Sequence, residues 1–166
     1  IPNYEDNLIR AINNYKVYLV VNGIQRHIPN PNIFLDYGFS WEDVKDVPQT
    51  IIDQYQRAYL IRESRQGKIY YLREDKIKKH IPNPEVFSSY NNKWEDIQVI
   101  SQKEMDSYIE SNLIQLQGDN NIYLIENNKK RHISSAEIFN RHRFSWESVV
   151  KVNEVEFNCY GVGESL

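Results

Sequence analysis

Apolar and polar positions along the chain rise and fall in a pattern that repeats three times. Each cycle opens on an apolar pair, Leu8-Ile9, Leu60-Ile61 or Leu113-Ile114. A polar turn follows at Asn13-Asn14, Arg65-Gln66-Gly67 or Gly118-Asp119-Asn120. Two short β-type runs come next: residues 18–27 read YLVVNGIQRH, residues 71–80 YLREDKIKKH and residues 123–132 YLIENNKKRH. Short runs rich in Tyr, Ile and Val, broken by Asn and Gly, predict strands joined by hairpins. Asn22-Gly23 suits a type I′ turn because both residues tolerate positive φ; Asn127-Asn128 does the same, and Glu74-Asp75 less well.

The pattern then turns helical. Asn30-Pro31 and Asn83-Pro84 read as an N-cap followed by a first-turn proline, and Ser135-Ala136 still supplies a cap. Gly38 and Asn91 suit the left-handed residue that ends a helix. Arg143 in their place predicts a different helix end in the third cycle. Ser40-Trp41-Glu42-Asp43 and Ser145-Trp146-Glu147-Ser148 predict a second capped turn, and Val44 to Val47 a last short strand. One unit is thus expected to hold about four strands and one short helix.

The units keep strict columns. His27, His80 and His132 lie 53 and 52 residues apart, and Phe34, Phe87 and Phe139 follow each by seven. Seven further on stand Trp41, Trp94 and Trp146, each followed by Glu42, Glu95 or Glu147. Tyr55, Tyr108 and Tyr160 close the cycles. The columns define three tandem repeats, about 8–59, 60–112 and 113–165, in a single domain over 1–166. The predicted fold is mainly β with short helices. A β-trefoil-like pseudo-threefold arrangement is the favoured closure, on strand and repeat count. A propeller blade and a linear array of stacked units are the alternatives.

Composition sharpens the class. The 166 residues include three Ala against twenty Ile and twelve Tyr, which favours strand over helix. No apolar run approaches the roughly 18 residues of a spanning helix, and no signal peptide is visible, so membrane insertion is not expected. A first residue other than Met reads as a processed or excised chain. Cys159 stands alone, which excludes an internal disulfide framework. Net charge is −3; the first two units are neutral and the third carries −1, without the basic excess a nucleic-acid binder shows.

Three features carry candidate chemistry. Histidines on a threefold axis would suit zinc or nickel, but each sits in a strand beside Arg26, Lys79 or Arg131. Alternation points His and cation to opposite faces, with His inward and the cation outward, so no metal site and no cofactor is expected. The basic clusters at Lys76-Lys78-Lys79 and Lys129-Lys130-Arg131 read as solvated strand ends. The Trp column repeats with Phe and Val, the usual mark of core packing. Tryptophan also stacks on sugar rings, with a neighbouring polar group to bond hydroxyls. On that reading the ligand-binding residues are Trp41, Trp94 and Trp146, with Arg26, Lys79 and Arg131 as polar partners. The carboxylates at Glu42-Asp43, Glu95-Asp96 and Glu147 recur as one local pattern, not as an opposed pair, so no catalytic residue is assigned. Nothing matches GxSxG, HExxH or a P-loop, and the chain reads as a non-enzyme.

The string YLVVNGIQRHIPNPNIFLDYGFSWEDV resembles tandem YL…RHIP…F…W repeats of secreted bacterial surface proteins, often carried beside peptidases or other hydrolases. The resemblance covers nearly the whole chain and implies an extracellular or cell-surface accessory module. The Gln-x-Trp signature of trefoil lectins is missing, so no lectin residue transfers. The expected function is a non-enzymatic module binding glycan or cell-wall polymer, where three linked weak sites would gain avidity. The alternative is a structural or assembly module of a surface protein. The expected partner is a polysaccharide or another surface protein, not nucleic acid, and oligomers are left open.

Overall fold

A computed structural model describes residues 2–65 and 67–166. Gln66, part of the turn expected at 65–67, lies outside the described residues. The first repeat runs β1 (Leu8–Ala11), β2 (Val17–Val21), β3 (Ile24–His27), α1 (Pro31–Asp36), a 3-10 turn (Trp41–Asp43), β4 (Val44–Val47), α2 (Gln49–Ile52) and β5 (Gln56–Arg57). The second runs β6 (Leu60–Arg62), β7 (Ile69–Arg73), β8 (Ile77–His80), α3 (Pro84–Ser89), a 3-10 turn (Trp94–Asp96), β9 (Gln98–Val99), α4 (Gln102–Ser107) and β10 (Ile109–Glu110). The third runs β11 (Leu113–Leu116), β12 (Ile122–Glu126), β13 (Lys129–Ile133), α5 (Ala136–Arg141), a 3-10 turn (Trp146–Ser148), β14 (Val149–Val152), α6 (Glu154–Cys159) and β15 (Gly161–Val162).

Each repeat forms its own five-stranded mixed sheet, in the orders β4-β1-β2-β3-β5, β10-β8-β7-β6-β9 and β14-β11-β12-β13-β15. The first three strands of a repeat are an antiparallel meander; the last two return parallel, β4 beside β1 and β5 beside β3. The repeated, mainly β architecture is therefore present. The described strands pair within their own repeat, each repeat keeping a separate sheet. The chain divides into two compact units, residues 1–76 with 93–109 and residues 77–92 with 110–166.

Each repeat has one strand and one helix more than its sequence pattern announces. The added strand is the two-residue β5, β10 or β15, and the added helix is α2, α4 or α6. Ser101 and Asn153 cap the latter two, their side chains accepting the Glu104 and Glu156 amide protons. The Ser101–Glu104 pair has capping-box spacing, a local signal for the added helix. The expected helices are present: Asn30, Asn83 and Ser135 cap α1, α3 and α5. Arg143 does not alter its helix end. It takes φ 59°, as Asn91 does at 58° and Gly38 at 77°, so the chain path after the helix overrides the side-chain preference.

The second repeat also corrects the alignment. Ile9 pairs with Tyr18 and Ile114 with Tyr123, but Ile61 pairs with Tyr70, not Tyr71. Asn22-Gly23 and Asn127-Asn128 are two-residue turns, whereas β7 and β8 are joined by residues 74–76. The extra residue in that connection shifts the strand before it by one place. A one-residue slip exchanges faces, so Leu72, not Tyr71, joins the buried cluster with Ile61, Ile100 and Met105. Its counterpart Val20 packs with Ile9, Val47 and Ile52.

Candidate functional site

Each tryptophan opens its 3-10 turn just after a helix has ended on a positive-φ residue. That path folds the indole back over the helix. Trp41 lies nearly parallel to Phe34, ring centroids 3.9 Å apart and planes 16° apart; Trp146 lies on Phe139 at 3.8 Å and 25°. Phe34 and Phe139 are fully buried. The tryptophans are not: Trp41 is 46% exposed, Trp94 54% and Trp146 53%. Core packing, the usual role of such a column, is thus carried by phenylalanine. The indole caps it, one face on the ring beneath.

A groove runs beside each of two tryptophans. That at Trp41 holds about 320 Å³ and is lined also by Tyr15, His27, Pro29, Asn30 and Phe34. That at Trp146 holds about 250 Å³ and is lined also by Asn121, His132, Ser134, Ser135 and Phe139. The walls correspond position by position: Trp, His, Phe and the helix cap recur. Asn30, which lines the first groove, caps α1 there: its Oδ1 accepts the Ile33 amide proton at 2.9 Å. An indole face with hydroxyl-sized donors and acceptors beside it is suited to stacking on the C–H face of a sugar ring.

The basic column lies elsewhere, and alternation works opposite to expectation. Arg26 is 3% exposed and Lys79 4%, while the neighbouring His27 and His80 are half-buried. Arg26 Nε donates to Glu104 Oε2 at 3.1 Å. The hydroxyls of Tyr37 and Tyr108 donate to the same carboxylate, each at 2.7 Å. Lys79 Nζ lies 2.6 Å from Glu156 Oε2, and the Tyr90 and Tyr160 hydroxyls donate to Glu156 at 2.9 and 2.8 Å. Tyr37 and Tyr90 each also accept a backbone proton, from Ser101 and Asn153 at the caps of α4 and α6. Each of these two cations thus meets a glutamate of the repeat that follows it. Burial, then the adjacent Glu104 charge, holds the Tyr108 hydroxyl far above the ordinary tyrosine range; burial and Glu156 do the same for Tyr160.

The column is uneven at its ends. The place of Glu104 in α2 is taken by Ile51, which packs against Ile9, Val47 and Ile52. Tyr55, counterpart of Tyr108, accepts the Tyr4 amide proton at 3.0 Å. At the other end Arg131 is 27% exposed; its Nε donates to the Glu164 carbonyl at 2.9 Å and its Nη1 lies 3.3 Å from Glu126. Arg26 and Lys79 are therefore not at the surface beside a tryptophan, as the sugar-binding reading of the column expects. Their glutamate partners stand three residues after the caps Ser101 and Asn153, a spacing that marks the helix but not the cation it meets.

His27 leans on Tyr18, its cross-strand neighbour, at 5.6 Å, and His132 on Tyr123 at 5.3 Å. Burial lowers the pKa of His27 below the ordinary value. Among the described residues no three His, Cys, Asp or Glu side chains gather as metal ligands. Lys78, expected at a solvated strand end, is buried. The lone Cys159 is exposed. Among the described residues no helix is long and apolar enough to cross a membrane. Neither a scan against protein-family models nor a search among curated proteins finds a match to this chain.

Proposed function

We propose that the chain is a non-enzymatic, extracellular repeat module that binds glycan or cell-wall polymer through its tryptophan column. One observation carries this reading: Trp41 and Trp146 each stack on a buried phenylalanine and stay half exposed beside a groove of matching composition. A large apolar ring held rigid and left in water loses little entropy when a sugar covers it. Trp94, exposed to the same degree, supplies the third site. The polar partners are the groove residues, His27 with Asn30 and His132 with Ser135, in place of the buried Arg26 and Lys79. Three linked weak sites reach much tighter binding on a polymer through effective concentration.

The test is co-sedimentation with insoluble cell walls and plant polysaccharides, comparing the native chain with Trp41→Ala, Trp94→Ala and Trp146→Ala singly and together. Retention should fall stepwise and vanish in the triple variant. Equal retention of the triple variant would reject the proposal.

The second reading, a structural or assembly module, is favoured by the ion pairs that link one repeat to the next.

A further inference from the structure

The basic column has three members, and two of them meet a buried carboxylate. Arg26 takes Glu104 from the next repeat and Lys79 takes Glu156. Arg131, the third member, lies in an open groove of about 610 Å³ over the paired β13 and β15. Lys129 and Arg131 line it from one strand, Val162 and Glu164 from the other side. Val162 is 81% exposed. His142 caps the end of α5 as Tyr37 and Tyr90 cap α1 and α3. Its ring lies flat against Phe144, as Tyr37 lies against Phe39.

We infer that this groove is a docking site for the acidic helix of a further repeat of the same kind. Two matched precedents in the molecule define the occupant: a short helix capped by Ser or Asn, with a glutamate at its third position. The carboxylate would displace the Glu164 carbonyl from Nε and Glu126 from Nη1 and pair with the Arg131 guanidinium, as Glu104 pairs with Arg26 through Nε; His142 would donate where Tyr37 and Tyr90 do. Charge selects the partner further. Two places before the cation, Ile24 and Ile77 are buried, whereas Lys129 is exposed. The incoming helix is therefore more acidic than α4, with a second carboxylate facing Lys129, as the Glu154–Glu156 spacing of α6 would provide. A second copy of this chain does not qualify through its first repeat. Its α2 carries Ile51 at the key position, and Tyr4 already occupies the Tyr55 hydroxyl.

The experiment appends the missing helix in register. Gly163 donates to Lys130 as Ser111 donates to Lys78, so Glu164 corresponds to Asn112. The chain is accordingly extended after Glu164 with a second copy of residues 113–164, which carries the Glu154–Glu156 helix. Hydrogen exchange of arginine side-chain Nε protons is followed by NMR in the native and the extended chain. The Arg131 Nε proton should exchange at least about 100-fold more slowly once the added repeat is present, approaching Arg26. Glutamate-to-glutamine substitution at the copied Glu156 should remove that protection while the added repeat's own amides stay protected. Unchanged exchange at Arg131 beside a folded added repeat would overturn the inference. So would an added repeat that fails to fold, because a competent docking face should support it as the earlier repeats support theirs. Sedimentation of the unextended chain should give monomer; head-to-tail oligomers would show that a second copy is the occupant and overturn the assignment.

Discussion

The tryptophan column and the basic column exchange the places that residue type assigns them. Three large aromatics stand half in water, while two cations lie deeper than most of the leucines. The difference is set by neighbours, not by polarity alone. Trp41 and Trp146 each have one flat partner, a phenylalanine that already fills the core, so only one indole face can be buried. Arg26 and Lys79 each have a carboxylate with two tyrosine hydroxyls on it, which replaces water around the charge. A buried ion stays only with such a set. The repeat spends its polar chemistry on joining repeats and keeps its flattest apolar surface outside.

The largest effect is expected at the buried pair. Glu104→Ala leaves Arg26 as an uncompensated buried charge and strips the two tyrosine hydroxyls of their acceptor. A loss of about 3–5 kcal/mol in urea unfolding is expected. Phe34→Ala should cost a similar amount, about 3–5 kcal/mol, because the site cannot collapse under a surface indole. Trp41→Ala, by contrast, removes a side chain that is half solvated and should cost only about 1–2 kcal/mol. If Trp41→Ala proved as costly as Phe34→Ala, the two aromatic roles would not be separate.

Two pH effects sharpen the contrast. The folded pKa values of Tyr108 and Tyr160 lie above the unfolded value of 10.0. The folded state therefore holds protons that the unfolded state loses, and stability is intact below pH 10 and falls above it. Thermal melts should show that decline, and absorbance titration should leave these two tyrosines neutral until the chain unfolds. His27 works at the other end and more weakly. Its folded pKa lies below the unfolded value of 6.5, so the unfolded state binds the extra proton. Stability is then full above pH 6.5 and declines as pH falls through the folded value; His27→Gln should flatten that acid limb.

Much of this architecture is legible in the residues. The columns define the repeat, Asn30-Pro31 and Asn83-Pro84 announce α1 and α3, and Asn22-Gly23 announces the first hairpin. The added helices are harder to read because α2 has four residues and Pro48 as its cap, without a side-chain bond. Their clear signal stands only in the later repeats, at Ser101 and Asn153. Register in the second repeat is hidden by one inserted residue, since YYLR offers two tyrosines for one place and only strand pairing chooses Tyr70. The burial of Arg26 is not readable either. Its partner Glu104 lies 78 residues away, and no local pattern couples the two. The tryptophans stand out as candidates by their column alone, but which of their faces meets water depends on a stack that spacing does not reveal.

The most direct measurement is iodide quenching of tryptophan emission, with and without a bound cell-wall glycan. The emission should be red-shifted and readily quenched, and one glycan should protect it and shift it to the blue. Blue-shifted emission that iodide cannot reach in the free protein would contradict the glycan-platform reading, because the column would then be core and no platform would exist.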